Sequence, residues 1–406
     1  MLDELKLLAN PACDPGHWLL DPSIDFLNHG SFGACPKVVL DAQTEWRARL
    51  ERRPVQFLAR DLEAHWDAAR AALACFVGAH EQDIVFVSNA TSGVNTILRS
   101  LQFNPGDELL VTNQEYNACR NALDFVAERA GARIVVVEVP FPVRAEEDIL
   151  APILNAVTTK TRLALIDHVT SPTALVLPIG RIVKELAARG VDTLVDGAHA
   201  LGMVPLNLSA LGAVYYTGNC HKWLCSPKSA ALLYVRRDKQ PLIRPLTISH
   251  GANSARQDRS RFLVEFGWMG TGDPTAILTV PDALRFMESA LPGGWPQVMA
   301  RNRALALAAR KILCPALRVP EPAPEPMIGA MASIPLPDAP SGEETRLPLN
   351  EFPLQDRLRE KHQIEVPIHP WPASPKRVLR ISAQLYNSLQ QYERLASALQ
   401  SELLNK

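Results

Sequence analysis

The chain has 406 residues, 47% hydrophobic and 21% charged, which is ordinary globular composition with material for two or three domains. Its 42 basic and 43 acidic side chains leave a net charge of -1, so neither nucleic acid nor an anionic membrane is expected as a partner. Seven cysteines with no CxxC pair argue against a disulfide scaffold or metal cluster and for a reducing, cytoplasmic setting. The opening Met1 to Lys6 is acidic rather than signal-like, and no apolar run reaches the roughly 18 residues of a membrane span.

From Ile84 onward strands and helices alternate. Ile84–Val87 reads as a strand and Ser92–Leu101 as a helix, followed by a strand at Leu109–Thr112 and a helix at Ala118–Ala130. Arg133–Val139, Leu163–Val169, Thr193–Val195, Val214–Tyr216 and Ala230–Val235 read as further strands, with helices at about 147–157 and at Ile179–Ala188 between them. Near-continuous apolar strands separated by amphipathic helices predict an α/β fold with a mostly parallel sheet covered on both faces. The polar, basic stretch from Ser249 to Gly267 is expected to be a loop.

Composition shifts after about residue 285. An Ala/Arg-rich helix is expected over Gln297–Leu313, then a stretch from Pro315 to Pro340 that holds eight of the 33 prolines, interrupted by an apolar strand at Met327–Ile334. Leu354–Lys361, a strand near Val378–Ser382 and a helix from Ser388 to Leu404 complete the chain. This organisation predicts an N-terminal arm (1–25), a large domain (26–285) and a smaller α+β C-terminal domain (286–406).

Two strand ends carry the chemistry. One strand closes on Asp196 and another on His221-Lys222, 26 positions after Asp196. Ligands of such sheets lie outside the carboxyl ends of the strands. Pyridoxal 5′-phosphate needs a lysine for its Schiff base and a carboxylate against its pyridinium nitrogen, and Lys222 and Asp196 provide that pair. Asp196 taken alone is equally an N-cap for the next helix. His199, three residues on, can donate to the phenolic oxygen of the cofactor or serve as a core histidine. Ala90, Thr91 and Ser92 lie in the turn Ser88 to Gly93, between a strand and a helix, where backbone N–H groups can cradle a phosphate or simply be capped. Tyr116, in Gln114-Glu115-Tyr116-Asn117, follows the next strand and can stack on a flat ring.

The runs Leu27-Asn28-His29-Gly30-Ser31-Phe32-Gly33, Asp167-His168-Val169-Thr170-Ser171-Pro172, Asp196-Gly197-Ala198-His199 and Gly218-Asn219-Cys220-His221-Lys222-Trp223 resemble the class V aminotransferase family of fold-type I pyridoxal-phosphate enzymes. They are most similar to its isopenicillin N epimerase-like branch, over roughly residues 20 to 390. The resemblance implies the fold-type I transferase architecture, with a seven-stranded, mostly parallel sheet. It implies that Lys222 carries the cofactor, Asp196 pairs with its ring nitrogen, and His199, Thr170 and Ser171 lie near its phenolic oxygen. Tyr116 takes the ring-stacking position, and Thr91, Ser92, Asn219 and His221 approach the phosphate. Thr271 resembles a residue that completes the phosphate site of a neighbouring subunit, implying a homodimer. Arg380 matches the arginine that pairs with a substrate α-carboxylate, with Asn28 and His29 as further substrate-binding candidates.

These features imply chemistry at Cα of an amino acid, with Lys222 as the base. Epimerisation like that of isopenicillin N epimerase leads, with His29, Tyr116 or a loop tyrosine as the second acid. Carbon–sulfur β-elimination and transamination use the same residues, and a non-catalytic cofactor-binding protein is the remaining reading. Cysteine desulfurases carry a catalytic cysteine shortly before the C-terminal arginine. The stretch Glu365 to Pro372 has none, which argues against persulfide-type desulfuration.

Overall fold

The computed structural model describes residues 8–343, 345 and 352–403. The acidic opening residues considered above lie outside them. In chain order the strands are β1 (Asp25–Phe26), β2 (Ile84–Val87), β3 (Glu108–Thr112), β4 (Arg133–Val137), β5 (Thr161–Asp167), β6 (Asp192–Asp196), β7 (Tyr215–Asn219), β8 (Ala231–Val235), β9 (Met331–Leu336), β10 (Ile364–Glu365), β11 (Ile368–Pro370) and β12 (Arg377–Ser382). Seven of them form one sheet in the order β2-β8-β7-β6-β5-β3-β4. Strands β3 to β7 run parallel to one another, whereas β8 is antiparallel to both β2 and β7. β2 therefore runs with the rest, and only β8 opposes them. The doubly covered sheet expected from the apolar strands is present: β2, β3, β7 and β8 are buried along their whole length.

The second sheet is antiparallel, in the order β11-β12-β9. β9 starts at Met331 rather than Met327, because Pro326 lies within a 3₁₀ turn at Glu325–Met327 that ends before the strand begins. Helices Gly294–Ala316 and Leu389–Leu403 pack against this part of the chain. The two sheets are stitched by the loop after β5. Val176 N–H donates to the Met327 carbonyl (2.9 Å), and the Ser333 hydroxyl donates to the Pro172 carbonyl (2.7 Å). β1 pairs in parallel with β10, tying the start of the chain to its end.

The stretch from Ser249 to Gly267 is more ordered than its composition suggested. Its last part is a helix, Arg261–Phe266, that buries Phe262, Leu263 and Phe266. Arg256 pairs with Glu63, and Arg259 with Asp67, on helix Leu62–Phe76. The arginines that looked like a solvated loop are thus the polar rim of a packed element. No helix among the described residues is long and apolar enough to cross a membrane.

Helix Ala90–Ser100 reaches the sheet through Gly93. A Cβ added there would stand 2.1 Å from Thr217 Oγ1 and 2.7 Å from Thr217 Cβ on β7. Only glycine lets the start of this helix sit against the end of β7. Gly93→Ala is expected to destabilise the fold by about 1–3 kcal/mol, as overpacking does. A lowered midpoint in urea unfolding, with an unchanged slope, checks this.

Candidate active site

The carboxyl ends of β2, β3, β5, β6 and β7 converge on one place. Lys222 lies three residues beyond the end of β7, and its Nζ is 3.2 Å from His199 Nε2. His199 Nδ1 accepts a hydrogen bond from the Trp223 indole at 3.5 Å, which leaves the ring proton on Nε2, facing the lysine. Burial and the charge of Arg380 bring the Lys222 ammonium down to about 7, against the attraction of Asp196. Its amine is therefore available as a base or nucleophile near neutral pH.

Below it lies a group of acids. Asp167 and Asp196 are direct cross-strand partners at the ends of β5 and β6, so their side chains share one sheet face. Glu115, Cys119 and Asp196 bring ligand-type atoms within 4.8 Å of one another. Burial and mutual repulsion push the Glu115 and Asp167 carboxyls well above the ordinary range. Asp196 is raised less, by burial, because it accepts hydrogen bonds from Ala198 N–H (2.8 Å) and the Cys119 thiol (3.2 Å) and is drawn down by Lys222. Negative charge in this cluster therefore concentrates on Asp196.

Arg380, on β12, is fully buried and has no carboxylate partner among the described residues. One terminal nitrogen donates to the Ser171 carbonyl (2.8 Å) and hydroxyl (3.2 Å), and the other donates to Ser31 Oγ (2.9 Å). Ser31 in turn donates to Asn28 Oδ1 at 2.6 Å. The Nε of Arg380 has no partner among the described residues, and burial lowers the guanidinium to about 10. A buried cation held by neutral groups alone is costly until an anion joins it. His29 has both ring nitrogens engaged, with Nδ1 at 2.8 Å from the Tyr386 hydroxyl and Nε2 at 3.0 Å from the Lys222 carbonyl. The turn that follows needs glycine: Gly33 has φ +71°, and a Cβ would meet the His221 carbonyl at 2.1 Å.

The helix start at Ala90–Ser92 is partly satisfied by the protein itself. Asn219 Oδ1 accepts from Ala90 N–H (2.9 Å), and Asn89 Oδ1 accepts from Ser92 N–H (2.8 Å). The Ser92 hydroxyl pairs with that of Ser88 (2.8 Å), and Thr91, half-buried, keeps its hydroxyl unpartnered among the described residues. His221 Nδ1 bonds the Ala230 carbonyl at 3.2 Å. Thr170 is occupied in its own loop, where it pairs with Thr173 (2.7 Å) and accepts from Leu175 N–H (2.8 Å). Tyr116 is half-exposed and close enough to Asp196 and Arg380 to feel both charges. Thr271 is exposed and joins no part of this site within its own chain.

Two participants stand in no motif, Cys119 and His369, and Ser31 lies inside the Leu27–Gly33 run without a role assigned to it there. His369 lies on β11, its Nε2 buried without a partner. Only strand register reveals it, since β11 places it opposite Val378, two residues from Arg380. An amine, an adjacent carboxylate and a helix start with donors match the three attachment points of pyridoxal 5′-phosphate. The orphaned atoms of Glu115, Asp167, Arg380 and His369 around them match a polar ligand. Because an aldehyde reacts with the neutral amine, the rate of imine formation with added pyridoxal 5′-phosphate should climb with pH up to about 7 and then level off. An ordinary lysine would keep climbing towards about 10.4. Stopped-flow absorbance measures this, and Lys222→Ala should form no such band.

A family model described as Aminotransferase class-V matches residues 27–395. The chain is 34% identical over 394 residues to isopenicillin N epimerase of Amycolatopsis lactamdurans, covering 94% of this chain and 95% of that protein. It is 31% identical over 402 residues to a probable chloroplastic L-cysteine desulfhydrase of Arabidopsis thaliana, covering 93% and 83%. Among solved structures, it resembles the cystine C–S lyase C-DES in complex with cysteine persulfide, with a TM-score of 0.75 at 21% identity, covering 97% of this chain and 98% of that one. The chain belongs to the class-V aminotransferase family, with pyridoxal 5′-phosphate as its cofactor.

Proposed function

We propose that this enzyme is a carbon–sulfur lyase that removes the β-substituent of an L-cysteine-like amino acid. The observation that carries this reading is the state of His29. Both of its nitrogens are spent on Tyr386 and on the Lys222 backbone, so it offers no proton to a substrate. Lys222 is then the one amine poised for proton transfer. Elimination needs a single base at Cα, whereas epimerisation needs a second acid on the opposite face. The desulfhydrase relative supports the same choice.

In this reading the substrate α-carboxylate docks on Arg380, whose Nε is free to take it, with Ser31 and Ser171 fixing the plane of the guanidinium. Asn28 contributes through Ser31, and His29 by holding the Lys222 backbone. The cofactor, when bound, supplies an electron sink for the pair left at Cα. Asp196 would hold the negative charge that keeps its ring nitrogen protonated, and His199, beside Lys222, would serve its phenolic oxygen. Thr91, Ser92, Asn219 and His221 would hold the phosphate, and Tyr116 would stack on the ring. Thr170 acts by shaping the loop that presents Ser171. The exposed Thr271 completes the phosphate site of a second copy in a homodimer. Residues 26–285 form the cofactor-binding domain, 286–406 the smaller one, and 1–25 the arm.

The second reading is epimerisation, favoured by Tyr116, whose hydroxyl has no partner among the described residues, and by the epimerase relative. One experiment separates the two. Incubated in D₂O with L-cysteine and S-alkyl-L-cysteines, a lyase releases pyruvate and ammonia. An epimerase returns amino acid deuterated at Cα and racemised, with no pyruvate, and that outcome sinks the lyase reading. Arg380→Leu should cut kcat/KM by about 100-fold or more, the scale of losing one partner of a buried charged contact, mostly through KM.

A further inference from the structure

The unpaired imidazole of His369 has no task in the account so far. β11 and β12 are antiparallel, with His369 opposite Val378 and Ile368 opposite Leu379. Side chains alternate along a strand, so His369, Val378 and Arg380 project from the same face of the small sheet. His369 is close enough to Arg380 to feel its charge, and close enough to His199 to bear on that ring in turn. It is thus near both the guanidinium and the histidine that touches Lys222, with its Nε2 buried and without a partner among the described residues. A buried polar nitrogen without a partner is costly, and a ligand atom can offset that cost.

An amino acid held at its carboxylate by Arg380 and at its amino group near Lys222 has two substituents left to place. The Cα hydrogen must face Lys222 to be removed. The side chain then points away from Lys222, and the small sheet, which carries Arg380 on β12, is one of the surfaces it can meet. The other orphaned groups near the site, Glu115 and Asp167, cluster with Asp196 around the strand ends of the large sheet. We propose that His369 is the residue that meets the β-substituent of the substrate, donating a hydrogen bond from Nε2 to the leaving sulfur. The inference rests on the lyase reading and extends it by assigning the leaving-group contact.

The step balances without an oxidant or reductant. The Cα proton passes to Lys222 Nζ, a Cα–Cβ double bond forms as the Cβ–S bond breaks, and the bonding pair leaves with sulfur as a thiolate. Water then converts the enamine product to pyruvate and ammonia. His369 stabilises the charge growing on sulfur as an uncharged donor, because burial and then Arg380 hold its ring near a pKa of about 3. The substrate class that follows is S-substituted L-cysteines with poor leaving groups.

The test compares two substrates on the loaded enzyme: S-methyl-L-cysteine, whose thiolate needs help to leave, and β-chloro-L-alanine, whose chloride does not. For His369→Phe, the ratio of kcat/KM for the first over the second should fall about 100-fold, the scale of removing one donor to a developing anion. His369→Gln, which keeps an N–H donor, should recover part of that ratio. Titration with L-alanine, which has no leaving group, should give a Kd within about threefold of the parent by the visible band, because carboxylate binding remains with Arg380. An unchanged ratio, whether both activities fall together or neither falls, overturns the proposal, as does an L-alanine Kd that weakens as much as the ratio falls. If the parent enzyme releases pyruvate from neither substrate, the lyase reading itself fails and the assignment falls with it.

Discussion

Everything at this site depends on how buried charge is distributed. Two basic groups, Lys222 and Arg380, are taken out of water without a carboxylate bonded to either among the described residues, while three acids crowd together at the ends of β3, β5 and β6. Had each cation been given its own acid, the site would be neutral, satisfied and inert. Burial first, and then the charge of Arg380, frees the Lys222 amine, while burial and mutual repulsion raise Glu115 and Asp167 and leave the charge on Asp196. The resulting space suits a polarised ligand, with a protonated ring nitrogen of the cofactor at Asp196 and, on the proposed reading, a substrate carboxylate at Arg380. The apolar strands on either side supply the stability that this arrangement consumes.

Much of the fold could be read along the chain because its strands are short apolar runs and its helices carry a clear face. Ile179–Ala188 was placed to the residue, and β2 likewise, each bounded by a turn signal. Errors fell where local composition misleads. Met327 is apolar but belongs to a proline-started turn, and the arginines of 256–261 look solvated only until Glu63 and Asp67 are brought beside them from a distant helix.

The site was legible where a residue type has few other reasons to stand at a strand end, as with Lys222, Asp196 and the turn at Ala90. It was illegible where the decisive fact is a register or a hydrogen bond between remote segments. Nothing around His369 announces that it shares a face with Arg380; that follows only from the pairing of β11 with β12. Ser31 and Cys119 look like ordinary small residues until Arg380 and Asp196 are seen to bond them. His29 shows the reverse case, a reactive residue type whose nitrogens prove to be committed to the protein itself.

His29 joins three parts of the chain made at very different times. Its partners lie 193 and 357 positions downstream, and Gly30 reaches Ser382, 352 positions on. Loops of that size close late, since their entropy is lost before any contact rewards it. During synthesis the Lys222 backbone therefore cannot be braced through the His29–Tyr386 pair until Tyr386 and Ser382 have been made, so the support of the lysine turn waits on the last part of the chain.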